Sequence, residues 1–217
     1  DLVVYDVAKL LDNLFRGDRR IGNDEEFSKK VVLVDENEMT AVMMGFPTLK
    51  GLSRETPSTY VSVLLNQTAA LHYIDVAQEF GLAGDVCPMP EAELGVSIDD
   101  DAPILGACAV QCNTTCDGSL LSNGGIAKRM ELEDGIPIFQ LASPMRHRED
   151  DVQDYAAQEI KNCIAFIEEK TGEKWDWDYY FECAKRVNES TRHRMEWLDM
   201  NKTDYPQIFG SNLALYT

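Results

Sequence analysis

Basic residues are in short supply: 20 Lys and Arg stand against 38 Asp and Glu, a net charge of −18 over 217 residues. Long-range repulsion between polyanions then excludes non-specific binding to nucleic acid and to anionic membrane surfaces. Histidine is scarcer still. His72, His147 and His193 are the full set, too few for a histidine-rich zinc site. No apolar run approaches the roughly 20 residues that cross a bilayer. The opening Asp1-Leu2-Val3-Val4-Tyr5-Asp6 lacks the basic and apolar sections of a secretory signal. Also missing are a Gly-rich phosphate loop ending in Lys-Ser/Thr, a His-Glu-x-x-His helix and a Gly-x-Ser-x-Gly elbow, so three common enzyme classes lose their signatures. There is no internal repeat and no low-complexity tract. A hydrophobic share of 44% supports a packed core rather than disorder. The expectation is a cytoplasmic protein whose partners are neither nucleic acid nor membrane.

Val31-Val32-Leu33-Val34 and Ala41-Val42-Met43-Met44-Gly45-Phe46 are short apolar runs with the look of strands, helix turns being the alternative. The pattern at Leu2 to Phe15 is helical. A longer helix opens at Thr56-Pro57-Ser58 and runs to about Phe80, where Gly81 to Asp85 ends it. A short helix begins at Pro90-Glu91-Ala92-Glu93-Leu94, with acidic groups near its positive end. The run from Ile104 to Val110 is apolar throughout, as a buried parallel strand requires. A helix from about Leu120 to Glu133 and the strand Ile136 to Leu141 complete a βαβ unit. The fold class expected is therefore α/β, an open parallel-sheet, flavodoxin-like domain with a long C-terminal helical segment. Residues 1–150 make the α/β domain and 151–217 a helical extension or linker, with amphipathic segments at Val152 to Lys170 and Trp177 to Met200. In open α/β sheets the loops after the strands form the ligand crevice, which puts Cys116 and the Pro144 to Arg148 loop on one rim.

Of six cysteines, Cys163 and Cys183 share the apolar faces of these helices and read as packed thiols. Cys87, Cys108, Cys112 and Cys116 lie in a stretch rich in Gly, Pro and Asn. Cys108, Cys112 and Cys116 recur every fourth residue, but Asn113-Thr114-Thr115 has low helix propensity, so the three do not share one helix. On a strand followed by a turn, Cys108 is buried while Cys112 and Cys116 approach the rim. Cys87 and Cys116 then read as metal ligands on turns, although two thiols need a third ligand and the C-x-x-C pairs of zinc ribbons and ferredoxins are absent. Plain packed thiols remain the alternative. So does a secreted, disulfide-bonded chain, with Asn-x-Ser/Thr triplets at Asn66, Asn113, Asn188 and Asn201. Ser143, Arg146 and His147 sit in a strand-exit loop. The Arg146-His147-Arg148 cluster either holds a phosphate or carboxylate or pairs with Glu149, Asp150 and Asp151.

Three segments carry a family resemblance: Asp85-Val86-Cys87-Pro88-Met89-Pro90-Glu91-Ala92-Glu93-Leu94-Gly95, Asn113-Thr114-Thr115-Cys116-Asp117-Gly118, and Pro144-Met145-Arg146-His147-Arg148-Glu149-Asp150-Asp151. With the helix from Tyr155 to Gly172 and its continuation to Glu189, the chain from about Thr56 to Asn201 resembles the 2-hydroxyacyl-CoA dehydratase and benzoyl-CoA reductase family. The resemblance implies a D-component-type subunit with a 4Fe-4S cluster held by three cysteines. Two match here, Cys87 and Cys116. The third ligand of the family comes from a following α/β domain, so the resemblance implies a further domain or a partner chain, with Cys112 a possible substitute. It also implies an ATP-hydrolysing iron-sulfur activator that delivers one electron at very low potential. A ketyl radical on the acyl-CoA thioester then expels the 2-hydroxyl group of an (R)-2-hydroxyacyl-CoA to give enoyl-CoA. The implied assembly is a heterodimer with a homologous second subunit. Ring reduction of an aryl-CoA, as in benzoyl-CoA reductase, and a non-catalytic scaffold subunit are the alternatives. Ser143, Arg146 and His147 are the candidates for substrate contact.

Overall fold

The computed structural model describes residues 12, 16, 24–35, 39–54, 67–101, 105–112, 116–144 and 148–206. The helical pattern at Leu2 to Phe15, the first part of the helix expected from Thr56, and both Arg146 and His147 lie outside the described residues. Among those described, four strands form one sheet in the order β2-β1-β3-β4, with β1 at Val31–Val34, β2 at Lys50–Ser53, β3 at Cys108–Cys112 and β4 at Ile138–Leu141. Every pairing is parallel. This is the expected open parallel sheet, but β3 begins at Cys108 and runs through Gln111 and Cys112, residues expected as the exit of a strand from Ile104 to Val110.

The accompanying helices are α1 at Glu25–Ser28, α2 at Thr40–Met43, α3 at Gln67–Phe80, α4 at Pro88–Asp99, α5 at Asp117–Arg129, continued by a π turn over Met130–Asp134, and α6 at Val152–Thr171. Alternation along β3 divides its side chains between two faces. Ala109 joins Val31, Leu33, Leu52, Ala77, Leu94, Ile126 and Met130 in a core beneath α3, α4 and α5. Cys108 and Cys112 take the opposite face, where α6 packs on β3 and β4 and buries Cys163 and Ile167. Val31, Val32 and Leu33 are within 1% of complete burial, and each contributes roughly 1.5–3 kcal/mol of transfer free energy. Helix α4 lies so close to α3 that a Cβ on Gly95 would fall 2.0 Å from the Tyr73 carbonyl oxygen. Only a residue without a side chain fits that crossing.

The apolar run from Ala41 to Phe46 is not a strand. Thr40–Met43 forms the helical turn α2, and the second strand lies further on, at Lys50–Ser53. A short continuous apolar run carries no period that separates strand from helix. The true strand is an edge strand that buries Leu52 and exposes Lys50 and Gly51.

A second compact unit comprises Met44–Pro47 with the chain from Asp176 onward, the first unit holding the rest. Its helix α7, Trp177–Asp199, is capped by Asp176, whose side chain accepts from Tyr179 N at 3.0 Å. Asp176 N donates to Gly45 O at 2.8 Å. The ring of Trp177 meets Tyr180 edge-on at 5.7 Å between centroids. No helix among the described residues is long and apolar enough to cross a membrane.

Candidate metal centre

Helices α4 and α5 start earlier than composition suggested. Pro88 opens α4, so Cys87 becomes its N-cap in an extended conformation (φ −65°, ψ 129°), and its thiol makes no cap hydrogen bond. Asp117 opens α5, and Cys116 is the N-cap there (φ −128°, ψ 115°). Cys116 Sγ accepts from Ser119 N at 3.4 Å. The two caps stand side by side. A Cβ built on Gly118 would lie 3.5 Å from Cys87 Cβ, 3.4 Å from Cys87 N and 3.2 Å from Pro90 Cγ. The start of α5 therefore lies beside the turn that carries Cys87, where a side chain at 118 would touch Cys87 at ordinary contact distance and crowd only Pro90 Cγ. Both thiols are free, Cys87 exposed and Cys116 half-buried.

Two helix N-termini lying beside each other favour negative charge near them, because each presents N–H groups without intrahelical partners and the positive end of its dipole. Thiolates and the anionic clusters they hold are suited to such a place. Two soft sulfur donors fit an iron-sulfur cluster better than a hard-cation site. Among the described residues no three His, Cys, Asp or Glu side chains converge as a metal site, and Cys87 and Cys116 by themselves are two sulfur donors.

The other sequence-derived candidates stand elsewhere. Cys112 ends β3 and is buried, and its thiol is one of the groups that influence Cys163. Ser143 is half-buried in the loop after β4. Cys108 and Cys163 are fully buried. Desolvation pushes both thiols up to about 12, and at Cys163 the neighbouring Cys108, Cys112 and Glu159 act in the same direction. They are packing residues, as expected for Cys163 and Cys108. Cys183 on α7 is half-buried.

These two thiols link stability to alkaline pH. With a folded pKa raised above the ordinary 9.0, each keeps its full contribution below about pH 9 and loses it as pH rises toward the folded value, because the unfolded chain deprotonates first. Each contributes a decline of about 1.4 kcal/mol per pH unit in that window. Urea melts of wild type and Cys163→Ala between pH 9 and 10.5 test it. The variant is expected to show a shallower decline by about one proton's worth, and parallel slopes would refute the assignment.

A buried polar network lies at the C-terminal ends of the strands, and sequence reasoning missed it. Asp35, 1% exposed, follows β1, and Arg54 follows β2. Arg54 Nη2 donates to Asp35 Oδ1 at 3.0 Å and lies 3.4 Å from Glu93 Oε1 on α4. Gln111, with its amide oxygen turned to the guanidinium, accepts from Nη1 at 3.0 Å and Nη2 at 3.2 Å. The second Asp35 oxygen, Oδ2, accepts from Cys112 N at 3.2 Å and from Asn123 Nδ2 at 2.7 Å. Asn123 Nδ2 also donates to Cys112 O at 3.2 Å. A cavity of about 70 Å³ beside Arg54, Ser97, Arg129 and Met130 opens toward the C-terminal ends of α4 and α5, the ends opposite the two thiols.

Comparison with curated proteins gives no match. The family model described as 2-hydroxyglutaryl-CoA dehydratase, D-component, matches residues 39–217, a span that includes both thiol-capped helices and most of the sheet. The chain belongs to the 2-hydroxyglutaryl-CoA dehydratase D-component family.

Proposed function

We propose that this chain is the cluster-bearing subunit of an ATP-activated 2-hydroxyacyl-CoA dehydratase, with Cys87 and Cys116 as two thiolate ligands of a 4Fe-4S cluster. The observation that supports the reading is that two cysteines, neither in a disulfide, cap adjacent helix N-termini that approach each other at Gly118. When bound, the cluster supplies one-electron chemistry at the thioester, which makes loss of the 2-hydroxyl group feasible. The chain's own residues prepare the place. The N-termini of α4 and α5 present the positive ends of their dipoles beside the two cysteines, which favours an anionic group there. The Ser119 N–H stabilises negative charge on Cys116 Sγ. Exposure of Cys87 leaves the site open to a third ligand and to substrate.

Strand β4 runs parallel to β3, so both end on the same side of the sheet, and Ser143, Arg146 and His147 are proposed to contact the acyl-CoA. A homologous second subunit and an iron-sulfur activator that hydrolyses ATP are the proposed partners. The decisive experiment is anaerobic purification of the complete assembly, with iron and acid-labile sulfide analysis. Assay with 2-hydroxyacyl-CoA and aryl-CoA thioesters in the presence of activator, ATP and reductant follows. Iron, sulfide and enoyl-CoA formation are expected. An assembly with neither iron nor sulfide refutes the cluster, and aryl ring reduction in place of water loss reassigns the reaction.

A further inference from the structure

Resting on that reading, we propose that Asp35 and Asn123 are positioning residues that set where Cys116 presents its thiol. The argument starts from connectivity. Cys112 is the last residue of β3 and Cys116 caps α5, so a short link joins them. Asn123 lies seven residues beyond Cys116, about two turns into α5. Both ends of the segment 112–123 are fastened to one carboxylate: Asp35 Oδ2 accepts from Cys112 N at 3.2 Å and from Asn123 Nδ2 at 2.7 Å. Asn123 closes the ring by donating to Cys112 O at 3.2 Å.

The anchor itself is fixed. Arg54 holds the other Asp35 oxygen at 3.0 Å, and Asp35 and Asn123 are 1% and 0% exposed. Helix α5 is stiff over two turns, so a shift at Asn123 carries to its N-cap. At that end a Cβ on Gly118 would lie 3.5 Å from Cys87 Cβ, so the start of α5 borders the turn that carries Cys87, and a displaced α5 changes the relation of the two cysteines. A buried, charged anchor costs desolvation that an apolar contact would not. Directional bonds fix the rotation and height of a helix, which apolar packing leaves looser. Residues that orient metal ligands from behind typically alter affinity 10- to 100-fold when removed.

The test uses the anaerobically purified full assembly carrying Asn123→Leu, which fills the volume without hydrogen bonds. Asn123→Ser, smaller and polar, serves as a second variant where the first folds poorly. The measurements are the rate of iron loss to a ferrous chelator, well below the melting temperature, and the electron paramagnetic resonance spectrum and midpoint potential of the reduced cluster. Iron release faster by about tenfold or more, with an altered spectrum or potential, is the expected result in protein whose circular dichroism and cooperative melting are retained. A merely structural role lowers the melting temperature and leaves the spectrum and potential unchanged, and that outcome overturns the proposal. If wild type itself holds no iron, the cluster reading fails first and takes this inference with it. An iron-loaded wild type with indistinguishable variants overturns the positioning role alone.

Discussion

Replacing Cys116 by serine is expected to leave the protein folded, empty it of iron and lower turnover by about a thousandfold or more, roughly 4 kcal/mol of barrier. Serine is the sharper choice over alanine because of where Cys116 stands. As the N-cap of α5 it accepts from Ser119 N, and a serine hydroxyl is among the best acceptors for that position, worth about 1 kcal/mol over alanine. The helix is therefore preserved or strengthened while the ligand changes from a soft thiolate to a hard, weakly acidic hydroxyl that iron-sulfur clusters accept poorly. Stability and metal content should move in opposite directions. Cys87→Ser is expected to behave alike, since the Cys87 thiol makes no cap bond to lose. Cys183→Ala, on α7 of the second unit, should keep its iron. Iron and sulfide per chain, turnover and the urea midpoint are the three measurements. Serine variants that retain both iron and activity would leave the two thiols without a ligand role.

The sheet and its helices were largely legible, for reasons that differ from element to element. Val31–Val34 is buried on both faces and reads as a strand from its apolar run; the next strand, expected from Ile104 to Val110, lies at Cys108–Cys112, because the buried Gln111 is polar and reads as an exit residue. The two long helices near the C-terminus announced themselves by period, and α6 begins and ends within a residue of its expected limits. The second strand was hidden because Lys50-Gly51-Leu52-Ser53 buries one side chain on an edge and offers nothing to a hydrophobic pattern. The starts of α4 and α5 were placed two or three residues late, at Pro90 and Leu120. The structure moves them to Pro88 and Asp117 and turns both cysteines from loop residues into caps.

That missed strand also concealed the polar network. Asp35 and Arg54 follow β1 and β2, which pair in parallel with Val34 opposite Ser53, so the next residues on each chain fall side by side. Opposite charges at the same offset after two neighbouring strands would have been a usable signal once β2 was known. Cys112 and Asn123 are 77 and 88 residues from Asp35 in sequence, Glu93 and Gln111 are also distant from it, and polar residues read singly look like surface. Nothing local marks Gln111 or Asn123 as buried. The cysteines proposed as ligands come from motifs; the frame behind them needed three-dimensional proximity.

Arg54→Met is expected to cost about 3–5 kcal/mol, the range for stranding a buried charge, against a total stability of roughly 5–15 kcal/mol. The guanidinium is 9% exposed and faces Asp35 at 1% and Glu93 at 6%. It also donates to Gln111 and reaches Met130 Sδ at 3.7 Å. Methionine keeps the length of the stem, so the packing loss is small and the effect isolates the charge. Arg54→Lys should fall between the two, because one ammonium cannot serve Asp35, Glu93 and Gln111 with the planar fork that a guanidinium offers. Adding Asp35→Asn to Arg54→Met removes one of the stranded carboxylates, so the double variant should lose less than the sum of the single ones by about 1–3 kcal/mol. Urea unfolding at constant m-value reads each term. A loss under about 1 kcal/mol for Arg54→Met would mean that water reaches these carboxylates in solution, and the network would then be too soft to hold Asp35, or the chain it anchors, in one place.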